Sequence, residues 1–199
     1  MREVRQMAAN AEDGGRGRPW RRAAWGAAAA LMLLPWLAMQ VTGEVAWDEA
    51  DFAILGAMLA GSGGIYELAT RISANGAYRA AVGVALATAF FLIWMNFALG
   101  IIGTEDGPAN LLYVCVPAVG IIGVFIARLR PNGMARALFA TSLAQGLVAA
   151  VAVSAGMGYP ESPPLEILGV NALFVALWLA SASLFRQAAR VRTPSRSQL

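Results

Sequence analysis

Arginine supplies all fifteen basic side chains of this 199-residue chain; lysine and histidine are absent. The arginines fall in four short segments, 1–22, 71–79, 128–136 and 186–196, and a pair of apolar blocks separates each segment from the next. Short loops rich in Arg or Lys stay on the cytoplasmic side of a bilayer. A chain that comes back to an arginine segment after every second block therefore crosses an even number of times. Six blocks fill the intervals, at about 23–41, 52–68, 80–102, 110–127, 135–156 and 165–185. Each comes near the roughly 20 residues that cross about 30 Å of hydrocarbon at about 1.5 Å per residue.

The acidic residues complete the pattern. Eight of the twelve, Glu44, Asp48, Glu49, Asp51, Glu105, Asp106, Glu161 and Glu166, lie in or beside the loops that lack arginine. The formal charge of +3 is the sum of two segregated populations, so it describes no basic patch for nucleic acid. With 58% hydrophobic and 14% charged residues, the chain is far less charged than the roughly 25% of a soluble domain. Lipid offers no partner for backbone N–H and C=O groups, and the blocks show no period-2 alternation, so helices are expected over a barrel.

The expected fold is an all-α bundle of six transmembrane helices with both termini cytoplasmic. Residues 1–22 form a flexible arginine-rich tail, 23–185 the membrane domain and 186–199 a second cytoplasmic tail. An alternative for the start is a cleaved signal segment over 21–46, whose apolar run exceeds the usual ~7–15 residues. Pro35 is expected to kink or loosen the first span. The Asn75-Gly76 and Asn132-Gly133 pairs read as tight reversals, since Gly accepts positive φ and Asn tolerates it. A shift of 57 residues superposes these pairs, Asp48-Glu49 on Glu105-Asp106, and Arg79-Ala80 on Arg136-Ala137, which suggests a repeated helical hairpin.

Helices in lipid pack through small residues and interhelical hydrogen bonds. The small residues expected at helix contacts are Gly56, Ala60 and Gly64 in the second span, Gly83 and Ala87 in the third, and Ser142, Gly146, Ala150 and Ser154 in the fifth. Replacing Gly146 by Leu is expected to disturb packing. No heptad repeat stands out. Trp25, Trp36, Trp47, Tyr66, Tyr78, Trp94, Tyr113 and Trp178 read mainly as an aromatic belt near span ends.

Uncharged polar residues cluster toward the outer half of the spans. Asn96, Asn110 and Asn171, with Gln145 deeper and the acids Asp48, Glu49, Glu105 and Asp106 above, make a candidate outward-facing polar pocket. The alternative is that each amide bonds a neighbouring helix and the acids are solvated. Glu67 and Arg71, four residues apart, read as an interfacial ion pair.

Catalytic chemistry finds little to work with. There is no His, and the single cysteine, Cys115, reads as buried in an apolar block. No phosphate-binding glycine loop, nucleophile elbow or metal-ligand cluster is present, so no enzyme activity, cofactor or metal is expected.

Three stretches carry a resemblance. They are Trp47-Asp48-Glu49, the run Gly103 to Tyr113 (Gly-Thr-Glu-Asp-Gly-Pro-Ala-Asn-Leu-Leu-Tyr), and Arg130 to Ala137 (Arg-Pro-Asn-Gly-Met-Ala-Arg-Ala). Across about residues 45–158 the chain resembles a group of uncharacterised small multi-pass bacterial inner-membrane proteins. The resemblance implies the bacterial inner membrane and supplies no activity or functional residue. The expected function is a binding, structural or accessory membrane subunit, partnered by the bilayer and by a second copy or another membrane protein, with no nucleic acid. The alternatives are a small-solute permease or channel using the polar pocket, and an intramembrane enzyme.

Overall fold

Arg79 shows how this chain turns at its arginine-bearing end. Its guanidinium donates to the carbonyls of Ser73 (2.8 Å) and Thr70 (2.9 Å), occupying carbonyls at the end of the preceding helix. Asn75 accepts from the Tyr78 N–H at 3.2 Å and so caps the next helix, while Gly76 is that helix's first residue. The expected Asn-Gly reversal is thus a helix start. At the second site Asn132 and Gly133 lie inside the first turn of a helix begun by Pro131. There the reversal is made by Arg128 and Leu129, at φ of 48° and 58°. The two Asn-Gly pairs therefore play different parts, even though the first of these helices, Gly76–Ala98, shifted by 57 residues would cover 133–155, against Pro131–Ser154 for the second.

The computed structural model describes residues 25–42, 47–98, 100–104 and 107–191, and among these there is no strand. The helices are α1 (Trp25–Val41), α2 (Glu49–Ile72), α3 (Gly76–Ala98), α4 (Cys115–Ala127), α5 (Pro131–Ser154) and α6 (Pro164–Val191); a 3-10 turn, Pro108–Val114, leads into α4. Five elements are long and apolar enough to cross a membrane: α2, α3, the 3-10 turn with α4, α5 and α6; α1 is a shorter apolar helix. Among the described residues the fold is all-helical, with the long apolar helices of a multi-pass membrane protein. Helix α1 runs unbroken through Pro35. Helix α6 continues past residue 185 to Val191, so Arg186 and Arg190 project from a helix.

The chain forms two compact units, Met1–Gly64 and Ile65–Leu199. In the first, glycines of α2 receive side chains of α1. A Cβ on Gly56 would lie 3.1 Å from Met32 Cε, and one on Gly63 would lie 3.2 Å from the Trp25 ring. Gly56 makes the expected contact, but Ala60 is exposed and Gly64 meets nothing within 4 Å; the second contacting glycine is Gly63. Asp48 accepts from the N–H groups of Ala50 (2.8 Å) and Asp51 (3.0 Å), and Asp51 accepts from Asp48 N–H at 3.0 Å. This reciprocal capping box starts α2.

In the second unit, α5 and α6 form the largest interface, followed by α3–α6 and α4–α5. On each of α5 and α6 one row of the buried residues recurs at alternating steps of three and four. On α5 the row is Met134, Leu138, Thr141, Gln145, Val148 and Ala152; on α6 it is Ile167, Asn171, Phe174, Trp178, Ser181, Phe185 and Ala188. That is a heptad seam, which the sequence reading missed. Ser181 donates to the Ala81 carbonyl of α3 at 2.6 Å, and Tyr78 packs edge-on against Phe185 at 5.1 Å.

The α4–α5 contact is closer. A Cβ on Gly123 would fall 2.6 Å from Ala137 Cβ, and one on Gly133 would fall 2.8 Å from Ala127 Cβ. Gly120 faces Thr141 in the same way at 3.4 Å. The expected ladder on α5 is only partly correct. Ser142 is buried, but Ala150 and Ser154 are exposed and Gly146 meets nothing within 4 Å, so Gly146→Leu has open space. Gly83 does meet Tyr66, at 3.4 Å, whereas Ala87 is exposed. Tyr78, Tyr113 and Trp178 are core residues, not belt residues. Glu67 and Arg71 form the expected ion pair at 3.2 Å.

Candidate functional site

The polar residues of the second unit meet in two places. The first is a chain of side chains linking α5, α6 and the 3-10 turn. Gln145 Nε2 donates to Asn171 Oδ1 at 2.7 Å, and Asn171 Nδ2 donates to the Tyr113 hydroxyl at 2.7 Å and to the Ile167 carbonyl at 2.8 Å. Gln145 and Asn171 are 0% and 1% exposed, so the pair is sealed inside the bundle. Gln145 stands at a seam position of α5 and Asn171 at one of α6, and two antiparallel heptad seams bring such residues face to face. Tyr113 joins them because the 3-10 turn points it at the same level as Asn171. No motif in the sequence marked Tyr113 for this role.

The second place is the loop from α3 to the 3-10 turn. Asn110 Oδ1 accepts from the N–H groups of Ile101 and Ile102, both at 3.0 Å, and its Nδ2 donates to the Thr104 carbonyl at 2.7 Å. The third span was expected to run to residue 102; the helix ends at Ala98, and the buried Ile101 and Ile102 are held outside it by this one amide. Ser162 donates no sequence signal either, yet its buried hydroxyl accepts from Gly103 N–H at 3.0 Å. A Cβ on Gly158 would lie 3.1 Å from Gly103 N. The 100–104 and 155–163 loops therefore interlock.

The eight residues of the expected pocket have separate fates. Gln145 and Asn171 are brought together; Asn110 is buried and engaged in its own loop. Asn96 is half-buried, and its Oδ1 is a buried acceptor without a partner among the described residues, as is Gln145 Oε1. Asp48 is a helix cap and Glu49 is exposed in the first turn of α2. Glu105 and Asp106 lie outside the described residues. Trp178 Nε1 is a buried donor without a partner among the described residues.

Cys115 is exposed at the start of α4, not buried as expected, because Tyr113 and Val116 take the inward positions on either side of it. Among the described residues no group of His, Cys, Asp and Glu could hold a metal ion. The contacts these side chains make are hydrogen bonds between neutral amides and hydroxyls that join α5, α6 and the 3-10 turn. No protein-family model, curated protein or solved structure matches this chain, so its own residues carry the functional reading.

Proposed function

We propose that this is a six-span protein of the bacterial inner membrane, with both termini in the cytoplasm, whose role is that of a binding, structural or accessory subunit. The observation that carries this reading is the Gln145–Asn171–Tyr113 chain: buried amides and a hydroxyl from α5, α6 and the 3-10 turn bond to one another and hold these elements together. Within the Ile65–Leu199 unit, α6 also leaves Ala172, Ala176, Ala180 and Ser183 exposed on one face, the close-packing surface that helix partners in lipid use.

Two experiments test the reading. Reporter fusions at Asn75 and Asn132 should both report the cytoplasm, and a periplasmic signal at either would end the six-span topology. Purification in mild detergent should then recover a second copy or a distinct membrane protein at fixed stoichiometry; a lone monomer would remove the subunit role.

A small-solute permease is the second reading. The unpartnered acceptors Asn96 Oδ1 and Gln145 Oε1 favour it, since a solute or water donor would satisfy them. Proteoliposomes that take up small neutral solutes faster than empty vesicles, and lose that uptake in Gln145→Leu, would establish it over the first.

A further inference from the structure

At the arginine-bearing end, a groove of about 870 Å³ opens between the end of α4 and the start of α5. One part of its wall is polar, with Arg130, Asn132 and Arg136; the rest is apolar, with Ile126, Ala140 and the close Gly123–Ala137 contact. Arg130 and Arg136 are exposed, and neither pairs with a carboxylate among the described residues. No side chain caps α5, whose first residue, Pro131, has no N–H. Asn132 and Gly133 line the groove, and their N–H groups have no partner among the described residues.

We propose that this groove binds one anionic phospholipid of the leaflet on the arginine side, a step that rests on the membrane reading above. The phosphate takes the two guanidiniums, which match its oxygens in bidentate fashion, and the free N–H groups at the positive end of α5. An acyl chain lies along Ile126 and Ala140 and continues onto the exposed Ile122 and Phe125 of α4. The shared chemistry is a phosphate anion. The apolar continuation selects a lipid, because a free phosphate would leave most of the groove empty. Basic pockets between transmembrane helices on the cytoplasmic side are suited to such headgroups. The small residues that let α4 and α5 approach are also what leave room for the chain: large side chains at 123, 137 or 140 would fill the groove.

The test uses the full-length protein in dodecyl maltoside, with retained lipid read by native mass spectrometry after equilibration with vesicles of equal parts phosphatidylglycerol and phosphatidylcholine. One phosphatidylglycerol should be retained with a preference of about tenfold or more over phosphatidylcholine. The double variant Arg130→Gln, Arg136→Gln should lose that preference, whereas Arg71→Gln, an exposed arginine that does not line the groove, should keep it. Ala140→Trp should weaken retention with both arginines in place. Equal retention of the two lipids, equal loss in the double variant and in Arg71→Gln, or thermal stabilisation by inorganic phosphate matching that by phosphatidylglycerol would overturn the site. Failure of the membrane reading is separate: the chain would then be recovered in the soluble fraction without detergent.

Discussion

Helix α5 is held on its two sides by opposite means. Toward α4 it presents Gly133, Ala137 and Thr141, and the backbones approach until Gly123 and Ala137 leave no room for a further carbon. Toward α6 it presents larger side chains and the Gln145–Asn171 bond, and the partner helix adds the buried Phe174, Trp178 and Phe185. Lipid tails are as apolar as leucine, so burial from lipid drives little association. What remains is close van der Waals contact and interhelical hydrogen bonding, and α5 uses the first on one side and the second on the other. The first is intolerant of added volume; the second is intolerant of lost partners.

Substitutions on the two sides of α5 test that contrast. Gly123→Leu should have the largest effect, since its side chain meets Ala137 at once and α4 must move away. Overpacking of this kind costs about 3 kcal/mol, and the melting temperature in detergent should fall more than for any other variant considered. Asn110→Ala comes next. It strips the acceptor from two buried N–H groups, and a loss of about 2 kcal/mol is expected, with proteolysis beginning at the 100–104 loop.

Asn171→Leu and Gln145→Leu probe the other side. The first leaves both Gln145 Nε2 and the Tyr113 hydroxyl without their partner, and should cost about 1–2 kcal/mol. The second also removes the unsatisfied Gln145 Oε1, so it should cost less, about 0.5 kcal/mol. A double-mutant cycle on the pair should return a coupling of about 0.6–2 kcal/mol in thermal or denaturant unfolding; zero coupling would dissolve the contrast between the two sides of α5. Gly146→Leu should be smallest, within about 0.5 kcal/mol of the parent, because it points into open space.

Much of the helix layout was legible from the order of residues. Apolar blocks of near-spanning length located every described helix, and the Glu67–Arg71 pair followed from helical spacing alone. The site was less legible. The four amides were visible as polar exceptions in apolar blocks, but nothing local says which of them meet. Asn110 bonds residues eight and nine positions back, while Gln145 bonds one 26 positions on. Tyr113 was hidden among belt aromatics for the same reason.

The seams were hidden by the solvent. In a soluble bundle the outer face is polar, and a heptad shows as contrast. Here Leu165 and Leu173 face outward while Ile167 and Phe174 face in, and all four are equally apolar. The same ambiguity misled the reading of glycine: Gly123 and Gly133 lie at a helix contact, Gly64 and Gly146 at open faces, and composition cannot separate them.

The order of residues by itself determined that the chain is helical and suited to a bilayer, because block length and the lack of backbone partners in lipid admit little else. Tertiary structure alone decided which face of each helix is buried, which glycines touch a neighbour and which amides bond. Those outcomes depend on how each helix is rotated about its axis, and a helix apolar on every side carries no local signal of that rotation.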